Sequence, residues 1–423
     1  MPAPVYQAHP FLDPCLSSHN PAVLRHLYKW FLEIREDENA YNSFLNKIYH
    51  PTNEGRPLAS NRVTSAYYLN EATSYIGELL LLMPPSVRAR ATPRPEVMGC
   101  PDVLELLNLI FESGDRRVSF EAQRKLYLAK LFFEVDHCWE VQRGGEHKEY
   151  FETLLEEAIF SKTTRSEPVA IWYRLGADGE SMDYGRRRTS AGQECWTFDT
   201  RHVEVVRDGR PVRLHVHYYS CRFKREVISY RYEEGAARYE PIAMESWPGL
   251  TKRRSASIVS KMIRKGENDP RWIEDLIGCM FIVESLYEVE NLKEILFDLF
   301  GGVFRVRNQV DTLTRPEDRS LLNRWSGTGY EVYKADVDLL YNPRRNPLPL
   351  PYFFSVEVQV YTLESYLRTV HSSHYASHHA LKQRQFLEGL VPFLFPEEVY
   401  GAEMIPALAG GSGTDGTEEV AGG

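Results

Sequence analysis

Long apolar runs are missing from this chain. GELLLLMPP, around Leu79 to Met83, is too short to cross a bilayer and reads as buried helix. With no secretory leader visible either, a cytoplasmic protein with no membrane partner is expected. Cysteine is sparse and scattered: Cys15, Cys100, Cys138, Cys195, Cys221 and Cys279 show no CxxC spacing. That argues against a disulfide framework or a zinc ribbon and for reduced thiols. Excess positive charge is absent too. The net charge of −9 argues against a broad nonspecific nucleic-acid surface, while leaving room for a local basic cleft. There is no internal repeat.

What the chain does have is a change of pattern along its length. From about Pro21 to Phe160, segments such as AVLRHLYKWFLEI and SFEAQRKLYLAKLFFEVDHCWEV carry apolar residues at three-to-four spacing, which predicts helices. From about Pro168 to Ala243, alternating segments such as HVEVVRDGRPVRLHVHYYSC predict strands, with Arg207-Asp208-Gly209-Arg210 as a hairpin turn. The expected fold class is α+β. It comprises a helical domain over 1–162, a β-rich segment over 163–245, an α/β domain with a mixed sheet over 246–400, and a Gly-rich acidic tail over 401–423 that is expected to be disordered.

The chemistry concentrates in the third part. Lys252, Arg253, Arg254, Lys261, Arg264 and Lys265 gather in fourteen residues. In SASIVSKMIRK, Ser257, Lys261 and Arg264 fall at i, i+4 and i+7 on one polar helix face, with Ile258 and Met262 on a face that can be buried. A helix start with exposed N–H groups and a cationic face suits phosphate. Taken alone, such a run is more often a solvated face. Asp275 follows at the mouth of the apolar strand LIGCMFIV, where a carboxylate suits a divalent cation. In YFFSVEVQVYT, Glu357, Gln359 and Tyr361 alternate with Val356, Val358 and Val360, so a second acid lies on one face of a second strand. Two acids converging on one Mg²⁺ suit in-line attack on a phosphoryl centre.

The order of these pieces resembles the synthetase domain of the RelA/SpoT alarmone synthetases, within the nucleotidyltransferase superfamily, over about residues 246–385. The resemblance implies ATP-dependent pyrophosphoryl transfer to the 3′-hydroxyl of a guanine or other purine nucleotide, with Mg²⁺ as cofactor. It puts Arg253, Ser257, Lys261 and Arg264 on the ATP phosphates, Asp275 on the metal, and Glu357 on the metal and the acceptor hydroxyl, with Gln359 beside it. Tyr330 in SGTGYEVYK falls on the tyrosine that stacks on the acceptor base, and Arg319 and Arg324 loosely represent the cations before that turn. His371 and Tyr375 match a following HxxxY and are assigned to the acceptor with Arg324. The chain departs from the family at Met280, Tyr361 and Ala376, each standing where the family carries a cation. Asp136 and His137 occur in that order only, so the family's metal-dependent hydrolase domain is not expected.

Other candidates weigh less. His215 and His217 at i, i+2 on a strand can bind metal, but with no third ligand nearby a structural role is favoured. The cluster HSSHYASHH places His371, His374, Tyr375 and His378 on one helix face, where nucleotide contacts or packing are preferred over zinc. Trp325 reads as packing before stacking. Two rival functions stay open: a toxin-type relative that uses an adenine nucleotide or a tRNA 3′ end as acceptor, and a degenerate nucleotide-binding regulator. The N-terminal helices are open to a protein partner, and oligomer formation is undecided.

Overall fold

The computed structural model describes residues 21–49, 55–176, 181–186, 194–207, 209–225, 228–233, 236–241, 255–322, 326, 330–342, 351–370 and 378–401. Counting helices of eight residues or more, the chain runs α1 (Pro21–Ile34), α2 (Glu38–Tyr49), α3 (Leu58–Leu81), α4 (Val103–Glu112), α5 (Arg116–His137) and α6 (Gly144–Ala158). Strands β1 (Thr163–Leu175), β2 (Met182–Arg186), β3 (Glu194–Arg207), β4 (Arg210–Phe223), β5 (Ile228–Glu233) and β6 (Ala236–Pro241) follow. Then come α7 (Ala256–Lys265), β7 (Ile277–Val283), α8 (Leu286–Phe300), β8 (Val306–Asp311), β9 (Tyr333–Tyr341), β10 (Tyr352–Thr362), α9 (Leu363–Val370) and α10 (His378–Gly389). None of the described helices is long and apolar enough to cross a membrane. The architecture is mixed α and β, built around an eight-stranded mixed sheet.

The chain divides into two compact units: residues 1–138, 255–272 and 385–423, and residues 139–254 and 273–384. The first is helical. Asp102 and Asp115 start α4 and α5 by accepting the N–H of Leu104 (2.8 Å) and Arg117 (2.7 Å). Helix α5 is buried on nearly every side, polar residues included, and its buried Arg124, Lys125 and Lys130 reach backbone carbonyls. Lys125 Nζ donates to the carbonyls of Val97, Met98 and Cys100 at 2.9, 2.9 and 2.7 Å, and Arg124 donates to that of Leu394. Helix α7 belongs to this unit, with Ile258, Val259, Met262 and Ile263 buried. The Ser260 hydroxyl lies 2.6 Å from that of Tyr75, and Ser255 Oγ donates to Asp136 at 2.7 Å.

The second unit holds the sheet, in the order β2-β1-β3-β4-β7-β10-β9-β8, while β5 and β6 form a separate antiparallel pair. Every neighbour in the large sheet is antiparallel except β7 and β10. That parallel pair follows from the crossover through α8, which a hairpin could not supply. The sheet therefore runs through the boundary expected near residue 245, since β4 pairs with β7 from Val216↔Val283 to Phe223↔Ile277. At the β3–β4 turn, Arg207 faces Arg210 and Gly209 takes φ +73°, the left-handed conformation that glycine adopts freely.

Each face of the sheet has its own cover. On one, α6 approaches so closely that a Cβ on Gly144 would lie 2.1 Å from the Phe223 ring. On the other, Leu363, Tyr366 and Leu367 of α9 close a core over Ile171, Tyr173, Phe198, Ile282 and Tyr361. This second face also carries Glu357, because Glu357 and Tyr361 share parity on β10.

Candidate functional site

Residues paired across neighbouring strands point to the same face. The pairings Arg222↔Gly278, Gly278↔Glu357, Glu357↔Asp336 and Asp336↔Arg307 therefore align five residues in one row across β4, β7, β10, β9 and β8. The next row, towards α9, contains Ser220, Met280, Gln359 and Lys334, and the one after it is apolar, with Tyr218, Ile282 and Tyr361. So the face grades from a charged end into a core. Second in the charged row, between Arg222 and Glu357, is Gly278, where an added Cβ would meet nothing within 4 Å. An open slot thus lies between Arg222 and Glu357, two interstrand spacings or about 10 Å apart along the sheet.

Glu357 is buried and held from two sides. Gln359 Nε2 donates to its Oε1 at 2.6 Å, and the Lys334 ammonium pairs with its Oε2. Asp275, just before β7, pairs with Lys224, which follows β4 and whose N–H donates to the Leu276 carbonyl at 2.9 Å. Lys334 joins these acids into one cluster. Burial works against its charge, but Glu357, Asp336 and Asp275 together hold its pKa above the usual lysine value. Burial first, and then the nearby Glu357 charge, also raise the Asp336 carboxyl above the ordinary range, which disfavours its charged form, against the hydrogen bond from Asn308.

The edge strand braces the acids. Arg307 donates to both oxygens of Asp338 (2.7 and 2.8 Å), to Glu274 (2.8 Å) and to Ser355 (3.0 Å). Those carboxylates, Asp338 first, push its guanidinium pKa up. Asn308 bridges Glu274 (3.1 Å) and Asp336 (2.9 Å). It does so from φ +48° within the irregular register between Arg307 and Val310, a conformation that asparagine tolerates better than most residues. The residue next to Asp275 and the neighbour of Glu357 are thus tied to one strained position.

A chain of hydrogen bonds leads from Glu357 towards the core. Tyr361 OH donates to Gln359 Oε1 at 3.0 Å, and the Tyr330 hydroxyl lies 2.7 Å from that of Tyr361, with the two rings edge to face at 6.2 Å. Tyr330 packs against the core beneath α9, and burial raises its hydroxyl pKa. The expected acceptor tyrosine is therefore linked to the expected proton acceptor through Tyr361 and Gln359.

The structure brings together Asp275, Glu357, Gln359 and Tyr330, all within the second unit. Ser257, Lys261 and Arg264 lie on α7 in the first unit, where Ser257 is exposed and the two cations are half-buried. Arg253, Arg324, His371 and Tyr375 lie outside the described residues. Sequence reasoning missed Lys334, Asp336 and Arg222. The alternation KADVD on β9 was the one local signal for Lys334 and Asp336, since the cluster is made by long-range register.

The strand histidines are engaged with carboxylates. His217 Nε2 lies 2.8 Å from Glu284 and its Nδ1 2.9 Å from the Thr200 hydroxyl. His215 Nδ1 lies 2.6 Å from Glu288, and His202, its partner across β3, lies 2.9 Å from Glu167.

Magnesium takes one or two carboxylates and leaves its other positions to water and phosphate. Asp275 and Glu357 supply such oxygens, and Asp336 Oδ1 is buried with no hydrogen-bond partner, so the donor set fits. Among the described residues no group of three or more His, Cys, Asp or Glu is arranged to hold a metal.

No protein-family model matches the chain, and no curated protein matches it. Among solved structures it is similar to small alarmone synthetase 1 from Bacillus subtilis bound to its product pppGpp, at 20% identity over 37% of this chain and 66% of that one, TM-score 0.22. It is also similar to small alarmone synthetase 2 from Bacillus subtilis (16%, 45% and 74%, TM-score 0.23). A GTP pyrophosphokinase family protein from Streptococcus pneumoniae is a further neighbour (18%, 37% and 65%, TM-score 0.21). The chain spans just under two thirds of the first of these structures. At such identities and TM-scores the likeness lends no weight to a shared activity.

Proposed function

We propose that this chain transfers pyrophosphate from ATP to the 3′-hydroxyl of a purine nucleotide, with guanine the first candidate. The observation that carries this reading is Glu357, fixed by Gln359 and Lys334 beside the open slot at Gly278. A carboxylate held in that way can accept the proton of an acceptor hydroxyl as the hydroxyl oxygen bonds to the β-phosphorus of ATP and AMP leaves. Asp275 and Glu357 would hold Mg²⁺, which, when bound, would neutralise charge building on the phosphates. Lys334 orients Glu357 and screens it from Asp336 and Asp275. Tyr361 and Gln359 connect the Tyr330 ring to Glu357, so a base meeting that ring would sit in register with the proton acceptor.

A nucleotide-binding regulator without turnover is the second reading. It is favoured by the ammonium groups of Lys224 and Lys334 on the two acids that the chemistry requires. Purified full-length chain incubated with labelled ATP and a panel of GDP, GTP, ADP and tRNA separates the readings. Label appearing on GDP or GTP supports transfer to guanine nucleotides, and label on ADP or tRNA moves the acceptor. ATP binding with no labelled product leaves the regulator.

A further inference from the structure

Among the described residues four cysteines are buried thiols, and two of them face each other. Cys221 on β4 stands directly opposite Cys279 on β7, although the two are distant in the chain and share no spacing signal. One hydrogen bond fixes the kind of pair they form. The Lys224 N–H donates to the Leu276 carbonyl at 2.9 Å, one step beyond Phe223↔Ile277, so Lys224 and Leu276 are a hydrogen-bonded pair. Bonded and non-bonded pairs alternate along antiparallel strands, which makes Arg222↔Gly278 bonded and Cys221↔Cys279 non-bonded. In a non-bonded pair the Cα atoms are about 4.5 Å apart and the side chains come closest. A disulfide needs a Cα separation of roughly 4.4–6.8 Å, so this register meets it without moving the backbone. Side chains do meet across this seam: in the pair two residues along, the rings of Tyr219 and Phe281 have centroids 5.0 Å apart. Both cysteines lie on the α6 face with Phe223, turned away from Glu357, and no step of the proposed transfer uses them.

We propose that Cys221 and Cys279 are a redox-active dithiol that hydrogen peroxide closes into a disulfide, covalently joining β4 to β7. Cys221 is the more exposed of the two, at 8% against 2%, and reacts first. Its sulfur attacks one oxygen of the peroxide; the O–O bond breaks, leaving a sulfenic acid, and the departing hydroxide takes the thiol proton as water. The Cys279 sulfur then attacks the Cys221 sulfur; the S–O bond breaks, and hydroxide leaves with the Cys279 proton as a second water. Two thiols are oxidised and one peroxide is reduced. Burial, followed by Cys221 and Glu152, holds the Cys279 pKa well above the ordinary thiol value, which suits a residue that resolves the sulfenic acid and does not meet the oxidant itself. A peroxide is the fitting oxidant, because the cover of both sulfurs keeps out larger disulfide reagents. The inference is independent of the transferase reading.

The test treats the full chain with hydrogen peroxide, removes the excess with catalase, blocks remaining thiols by alkylation and maps the peptides by mass spectrometry without reduction. Four proteins are compared, each shown to be folded by circular dichroism beforehand: the unmodified chain, Cys221→Ser, Cys279→Ser, and Cys195→Ser on β3 as control. The unmodified chain and Cys195→Ser should each lose both alkylation sites and yield a peptide pair joining Cys221 to Cys279 that dithiothreitol separates. That pair should come from material running as a single chain on a non-reducing gel. Cys221→Ser should keep Cys279 alkylatable, and Cys279→Ser should carry a sulfenic acid at Cys221 that dimedone traps. The inference is overturned if peroxide leaves both residues of the folded unmodified chain as thiols, takes Cys221 to the sulfinic acid with no bridge, or joins either residue to a different cysteine. If a serine variant fails to fold, the peptide map of the unmodified chain decides alone.

Discussion

Replacing Lys334 by methionine keeps the length of the side chain and removes a positive charge that acts on Glu357, Asp336 and Asp275 together. Truncating one partner of a fully buried ion pair costs about 3–5 kcal/mol. Lys334 is one-third exposed while Glu357 is nearly covered, with side-chain exposures of 33% and 11%, so a loss of about 2 kcal/mol at neutral pH is the better expectation. In a domain of this size that lowers Tm by roughly 4–8 °C. The pH dependence has a definite sign. Lys334 has a raised pKa, so its contribution is fully present below the ordinary lysine value and is lost only as pH rises through the folded value. In the variant, the deficit should shrink as pH falls into the carboxylate range, where Asp336, already raised, takes up a proton. Mg²⁺ should also rescue the variant more than the parent, because the ion would replace the missing charge. At a hundredfold excess over its Kd, a ligand contributes about 2.7 kcal/mol, enough to erase the deficit. Thermal melts at pH 7.5 and 5.0, with and without Mg²⁺ and with Ca²⁺ as a control, read all of this. A variant as stable as the parent at pH 7.5, or a Mg²⁺ effect equal in both proteins, would refute the reasoning.

Two further perturbations probe other parts of the chain. His147 stacks on Phe354 and meets Tyr352 OH at 2.7 Å, and burial, helped by Arg143, lowers its pKa to about 4. Its stabilisation is complete above about 6.5 and is lost as pH falls towards 4, on the order of 3 kcal/mol, so His147→Gln should flatten the drop in Tm between pH 7 and pH 4.5. Reversing Lys261 and Arg264 to Glu places like charge near the C-terminus of α7 and should cost roughly 1–2 kcal/mol of stability. Calorimetry then tests their expected phosphate role: Mg-ATP affinity should collapse in the folded double variant, and unchanged affinity would leave α7 a solvated face.

Much of the site's scaffold is written locally. The alternation of YFFSVEVQVYT predicts a strand with Glu357, Gln359 and Tyr361 on one face, and β10 carries them so, linked to one another by side-chain hydrogen bonds. The spacing of SASIVSKMIRK likewise predicts the helix seen as α7, with Ile258 and Met262 buried. What was not legible depends on pairing between distant segments. Lys334, Asp336 and Arg222 are unremarkable in their own strands and acquire meaning only when β9 and β4 take up register beside β10 and β7. No period-two pattern specifies which strand lies alongside which. The grouping of α7 with the N-terminal helices was hidden for the same reason: an apolar stripe declares that it will be buried, but not against what.

The most direct test of the central claim compares the unmodified chain with Glu357→Gln, a near-isosteric change that removes the carboxylate opposite the Gly278 slot. Both proteins receive Mg-ATP labelled in the terminal phosphate together with GDP or GTP, and circular dichroism confirms that both are folded. Label should move to the guanine nucleotide with the unmodified chain, and the folded variant should lose that transfer by about a hundredfold or more, as expected on removing a general base. Transfer persisting near the unmodified rate in folded Glu357→Gln would contradict the account.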